Sequence, residues 1–201
     1  MEQQLGQIVR QHKIGQAKQQ VLLPVSSQKM MLISKYGDKE NFLSTYNPSY
    51  QRKICAKAEE CYFGDYPTLT KLKGYGENVP TAWLIPQLYN LSEYCGCKDK
   101  LQGNQLEECA FVIATEFHYL KISEIMLFMH RFKSGRYGRF YGAVDPFVIV
   151  TSLREFLKER SYDYEKHEQQ LNFLRMEESS KKAITYEEHI RRERENASSN
   201  N

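Results

Sequence analysis

Four cations fall within nine residues at Arg131, Lys133, Arg136 and Arg139, with no Asp or Glu between them. Tyr137, Phe140 and Tyr141 are interleaved with these cations, and Gly135, Gly138 and Gly142 punctuate the same stretch. Guanidinium and ammonium groups bind phosphate oxygens, and aromatic faces stack on bases. Glycine lets a backbone approach a partner closely or take positive φ. The pattern therefore suits a loop that binds nucleic acid or a partner protein, with Arg131, Lys133, Arg136, Tyr137, Arg139 and Tyr141 as its contact residues. A second reading stands beside it. The aromatics tuck into the core and the arginines close the carbonyl end of the preceding helix. The glycine spacing matches neither a dinucleotide fingerprint nor a P-loop, which needs Gly-Lys-Ser/Thr after a strand, whereas this loop follows a helical pattern.

Other chemistries are poorly supplied. Cys95 and Cys97 are one residue too close for the usual Cys-x2-Cys zinc knuckle, and Cys55 and Cys61 match it no better. Cys109 and His118 lie nine residues apart on one predicted helix, about 2.5 turns, so they face opposite sides and cannot share a metal. A nucleophile needs a base and an orienting acid. His118 and His130 stand in no motif with Cys or Ser, and Glu116 and Glu124 are read as solvated helix charges. No catalytic residue, metal or cofactor is expected, and the chain is read as a non-enzyme. Trp83, the single tryptophan, sits on an apolar helical face and is read as core. The run Arg191-Arg192-Glu193-Arg194-Glu195 interleaves both signs and reads as a solvated helix or tail.

The elements that must hold the basic loop follow from apolar periodicity. Of 201 residues, 41% are apolar, and these concentrate between Tyr46 and Leu157. The expected organisation is a mobile N-terminal arm over 1–45, a helical core over 46–160 and a charged extension over 161–201. Asn47-Pro48 opens a helix carrying Ile54, Ala58 and Cys61 and ending at Gly64. Pro67 to Thr70 opens a short one that stops at Gly74. Trp83, Leu84, Leu88 and Leu91 mark a third, which Pro86 either kinks or delays. A fourth runs from Asn104 to about Tyr119. A fifth begins with Ser123 as N-cap and stops at Ser134-Gly135. Asp145-Pro146 opens the last, with Phe147, Ile149, Val150, Leu153, Phe156 and Leu157 as its core face. The fold class is all-α: a single orthogonal or bundle-like domain of about five to six helices with disordered or loosely helical termini.

No apolar run approaches the ~18 residues that span a bilayer, so no membrane role is expected. The first residues, MEQQLGQIVRQHK, contain no apolar stretch of the kind that directs secretion. The five cysteines are then reduced thiols of a cytoplasmic protein. A net charge of +3 is mildly basic and leaves the choice of partner to local distribution.

Several stretches resemble a known family. They are Tyr66-Pro67-Thr68-Leu69, Trp83-Leu84, Gln87-Leu88, Leu91-Ser92-Glu93-Tyr94 and Lys121 to Phe128, and above all Gly135 to Gly142 with Asp145-Pro146. The family comprises helical proteins of Bacteroides-type bacteria, their phages and mobile elements, and the resemblance covers about residues 62–160. It brings no activity with it. A looser likeness, to phage-type helicase loaders and replisome organisers, implies a non-catalytic accessory role in DNA metabolism, with DNA or a replication protein as partner. A protein–protein adaptor without a nucleic-acid role is the alternative. In either case the 131–141 loop is expected to be an ordered turn. Gly135 ends one helix, Asp145 caps the next, Phe140 packs on the core, and Arg136 and Arg139 point outward.

Overall fold

The computed structural model describes residues 27–199, which fold as an all-α chain without a strand. Nine α-helices are present among the described residues: α1 (Ser27–Tyr36), α2 (Lys39–Thr45), α3 (Gln51–Ile54), α4 (Ala58–Phe63), α5 (Leu69–Leu72), α6 (Val79–Tyr94), α7 (Gly103–Glu116), α8 (Ile122–Lys133) and α9 (Pro146–Ser199). Single turns of 3-10 helix precede α3 at Pro48–Tyr50 and follow α5 at Lys73–Tyr75.

α8 lies at the centre. From Ile122 to Met129 every residue is buried, including Ser123 and Glu124, so its apolar surface is satisfied on all sides. α4, α6 and α9 pack round it. α7 packs along α6 through Leu106, Cys109, Ala110, Ile113 and Ala114, the stripe expected from the sequence. Trp83 is 1% exposed, and its indole N–H donates to the Tyr46 carbonyl at 2.8 Å, so its polar tip has a partner. Pro86 lies inside α6 on its exposed side, and the helix runs through it.

The structure corrects four expectations. Residues 27–45 are not an arm. α1 and α2 pack on the core through Leu32 and Phe42, the latter fully buried. Phe42 is held by the rings of Tyr36, Tyr46 and Tyr75 at centroid distances of 4.8–6.0 Å, contacts that periodicity in two short helices does not reveal. The expectation for residues 1–26 lies outside the described residues. The helix expected from Pro48 to Gly64 is broken at Cys55–Lys57 into α3 and α4. Asn47 caps its start as expected, accepting from the Ser49 N–H at 2.8 Å. Ser123 is not the N-cap of α8. Its hydroxyl is drawn inward and donates to the Cys61 carbonyl at 2.7 Å, while the Glu124 carboxylate accepts the Lys121 N–H. Phe147 does not face the core. It is 74% exposed, whereas Ile149, Leu153 and Phe156 are fully buried.

α9 is the longest element, 54 residues without interruption. At 1.5 Å per residue it extends about 80 Å. Its first part packs on the core as far as Tyr164 and His167. The Tyr164 hydroxyl donates to Glu124 and to the Tyr62 carbonyl, and the His167 ring stacks on Phe63 at 3.8 Å. From Glu168 to Lys182 every residue is exposed. The pairs Lys181–Glu177, Lys182–Glu178 and Arg191–Glu195 are spaced i,i+4, the arrangement that supports a helix in water.

Candidate nucleic-acid interface

The 134–145 connection is an ordered turn. Ser134, Gly135 and Arg136 close the last carbonyls of α8 by donating to His130, Phe132 and Arg131. Gly135 takes φ +82° and Gly138 φ +92°, backbone that a side chain at either position would strain. Farther along, Val144 N–H donates to the Asp99 carbonyl at 2.8 Å, tying the loop to the segment that leads into α7. Asp145 accepts from the Phe147 N–H at 2.8 Å and caps α9. Of the aromatics, Tyr137 lies against Phe128 and Phe132, and Phe140 stacks on Phe132 at 5.2 Å. Both are half-buried, while Tyr141 is 84% exposed.

The four cations that the sequence groups together are parted by the fold. Arg131 points toward α9. Its guanidinium donates to Glu159 at 2.8 Å and to the Tyr62 hydroxyl at 2.8 Å, and sits 5.7 Å from the ring centroids of both Tyr62 and Phe156. Only 13% of its side chain is exposed. Arg136 reaches the same carboxylate, its Nε 2.9 Å from the other Glu159 oxygen, and the Tyr137 hydroxyl donates to Glu159 at 3.1 Å. Burial, reinforced by that carboxylate, pushes the Tyr137 phenol well above the usual range. Arg131, Arg136 and Tyr137 therefore stitch α8 and the turn to α9. The outward orientation expected of Arg136 is corrected: it is half-exposed but committed to Glu159, because α9 presents an acid at that height.

Lys133 leaves α8 on the other side. Its ammonium donates to two amide oxygens, Gln51 Oε1 at 2.8 Å and Asn90 Oδ1, and no carboxylate is its partner. Gln51 in turn donates to Gln87 at 2.8 Å, and Gln87 to the Tyr46 carbonyl at 3.1 Å, so a buried amide chain behind the lysine has its hydrogen bonds made. Burial pulls the Lys133 ammonium below the ordinary lysine range, the Cys55 and Cys95 sulfurs oppose that shift, and Arg52 adds to it.

Lys133 forms part of the wall of a cleft of about 370 Å³ between α3, α6 and the end of α8. Arg52, His130 and Tyr94 share that wall, with Ser49 and Ser134, and no Asp or Glu lines it. Beyond Tyr94 and Lys133 the surface continues into a smaller hollow of about 160 Å³ that includes Gly138, Arg139 and Phe140 and again contains no acid. Arg139 lies 5.7 Å from the Tyr141 ring centroid. Neither Arg52 nor Arg139 has a carboxylate partner among the described residues. The result is one strip, Arg52–His130–Lys133–Tyr94–Arg139–Tyr141, in which the fixed charge is all positive and two tyrosines, 64% and 84% exposed, offer ring faces.

Of the six residues singled out in the sequence, Lys133, Arg139 and Tyr141 lie on this strip, and Arg131, Arg136 and Tyr137 form the structural knot at Glu159. Sequence reasoning misses Arg52, His130 and Tyr94. Arg52 and Tyr94 are distant in sequence from the loop, and no local pattern marks them. His130 is only one residue from Arg131, and its place beside the basic run is the signal that could have found it. Among the described residues, no three His, Cys, Asp or Glu side chains are grouped so as to hold a metal, and no helix is long and apolar enough to cross a membrane.

Residues 100–199 match the model of a family of unknown function, DUF6633. The match takes in α7, α8, the glycine-rich turn and α9, hence His130, Lys133, Arg139 and Tyr141, whereas Arg52, Asn90 and Tyr94 precede it. No curated protein and no solved structure matches the chain.

Proposed function

We propose that this chain is a non-catalytic nucleic-acid-binding protein that holds a single strand along the Arg52–Tyr141 strip, as an accessory of DNA metabolism. One observation carries the reading: three cations, Arg52, Lys133 and Arg139, line two adjoining clefts from which every carboxylate is absent. Desolvating a lysine without an acid beside it is unfavourable, and an arriving phosphate relieves that cost. Tyr94 and Tyr141 supply faces on which unpaired bases stack, a recognition mode that duplex DNA cannot use. The test is binding of single- and double-stranded DNA across a salt series. Affinity should fall steeply with salt, in proportion to the phosphates neutralised, and the single strand should bind tighter. Absence of binding to either form at low salt would sink the proposal.

A protein-binding adaptor is the second reading, favoured by a different feature. Leu171, Phe173, Leu174 and Met176 are all exposed on α9 within six residues. A partner retained on the immobilised protein after nuclease treatment, and lost on changing Phe173 and Leu174 to Ser, would support it.

A further inference from the structure

Resting on the nucleic-acid reading, we infer that the larger cleft is an end pocket, which takes the terminal nucleotide of a strand through its phosphate monoester. The reason is charge number. An internal phosphodiester carries one negative charge, whereas a terminal monoester approaches two near neutral pH. The cleft sets two fixed cations, Arg52 and Lys133, in one wall, with the His130 imidazole beside them and no acid to neutralise any of the three. Two uncompensated charges around one hollow match a dianion better than a monoanion.

Donor geometry agrees. Two of the three ammonium hydrogens of Lys133 go to Gln51 and Asn90, which fixes the nitrogen in place and leaves one hydrogen for a ligand. The Asn90 oxygen is taken by that lysine, so its amide hydrogens remain as donors. Arg52 is exposed and brings a planar fork suited to two oxygens of one phosphate. The anchoring amides Gln51 and Gln87 are 4% and 0% exposed, so the lysine stands on a packed base rather than on a mobile side-chain surface. Size is the third point. A volume of about 370 Å³ exceeds what a lone phosphate fills and falls in the range of small-ligand sites. Tyr94, at the junction with the second hollow, is placed for the terminal base to stack while the rest of the strand leaves toward Arg139.

The test uses the full chain and an internally labelled oligothymidylate of about 20 nucleotides in three forms, bearing a 5′-phosphate, a 3′-phosphate or hydroxyls at both ends, with binding followed by fluorescence anisotropy at low salt. One phosphorylated form should bind about tenfold tighter than the doubly hydroxylated strand, a difference of about 1.4 kcal/mol, and the form that gains identifies the end. Arg52→Gln, an exposed position whose loss leaves the core intact, should erase that difference while the hydroxylated strand still binds. His130→Gln should narrow it. Equal binding of all three forms overturns the end pocket and leaves the strip as a nucleic-acid surface. A gain on phosphorylation that Arg52→Gln leaves intact also overturns it. If none of the three binds, the nucleic-acid reading falls, and the end pocket with it.

Discussion

Arg131 and Lys133 are two residues apart at the end of α8, and the fold uses them in opposite ways. Arg131 enters a knot in which one carboxylate, Glu159, receives two guanidinium groups and a phenol. Lys133 meets only neutral oxygens. A cation buried against an acid holds the structure together, and removing either partner leaves the other uncompensated. A cation kept half-buried without an acid contributes less to stability and keeps its charge available to a ligand. Local charge density in a sequence therefore does not distinguish a staple from a binding surface. What distinguishes them is whether the facing helix carries an acid.

The sharpest way to break this contrast is at Glu159. Glu159→Ala should destabilise the fold by about 2–3 kcal/mol, read as a lowered denaturation midpoint, because Arg131 and Tyr137 lose their acceptor in a largely buried place. The surviving folded fraction should bind DNA as tightly as before. An unchanged midpoint would show that the knot is ornamental. On the other side, Arg52→Gln with Arg139→Gln should move the midpoint by less than about 0.5 kcal/mol, as exposed positions do. The same pair should reduce the slope of log affinity against log salt by roughly two phosphates' worth. Loss of stability without loss of affinity in that double variant would reverse the two roles. Tyr141→Ala, at the most exposed ring of the strip, should cost about 1 kcal/mol of binding to single strands and nothing in the midpoint.

Alkaline pH separates the regions more gently. Burial holds the Lys133 ammonium below the ordinary lysine range, so it loses its proton earlier than an exposed lysine, and affinity should fall as pH rises through that lowered value. The phenols of the α9 contact behave in the other sense. Burial raises Tyr137 above the ordinary tyrosine range, and burial followed by Glu124 pushes Tyr164 up to about 12. The stability they contribute is fully present below the ordinary tyrosine pKa and is lost as pH rises through the raised values. Binding should accordingly decline at a lower pH than folding does. Titrations of anisotropy and of circular dichroism on the same samples check the order, and coincident midpoints would contradict it.

The long helices are legible in the sequence because their apolar stripes are long. Leu106 to Ala114 of α7 and Ile149, Leu153 and Phe156 of α9 are buried as their spacing requires. The Asp145 cap is legible from its dipeptide with Pro146. α1 and α2 are not, because Phe42 is buried by Tyr46 and Tyr75, and the second of these neighbours it only in space. Half of the proposed site is visible as a basic loop. Which of its cations are neutralised depends on Glu159, and Arg52 and Tyr94 arrive from α3 and α6, so pairing between distant segments decides what local charge cannot.

The uninterrupted length of α9 has a consequence for how the molecule melts. Up to His167 the helix shares the fate of the core, since its rings and hydroxyls are locked into α4 and α8. The exposed turns that follow are supported by ladder pairs such as Lys182–Glu178, each contributing only a few tenths of a kcal/mol. One continuous helix thus contains two opening free energies, with the break inside it rather than at a loop. Amide exchange should be slow to about residue 167 and fast beyond it. Far-ultraviolet ellipticity should begin to decay well before the Trp83 fluorescence that reports on the core.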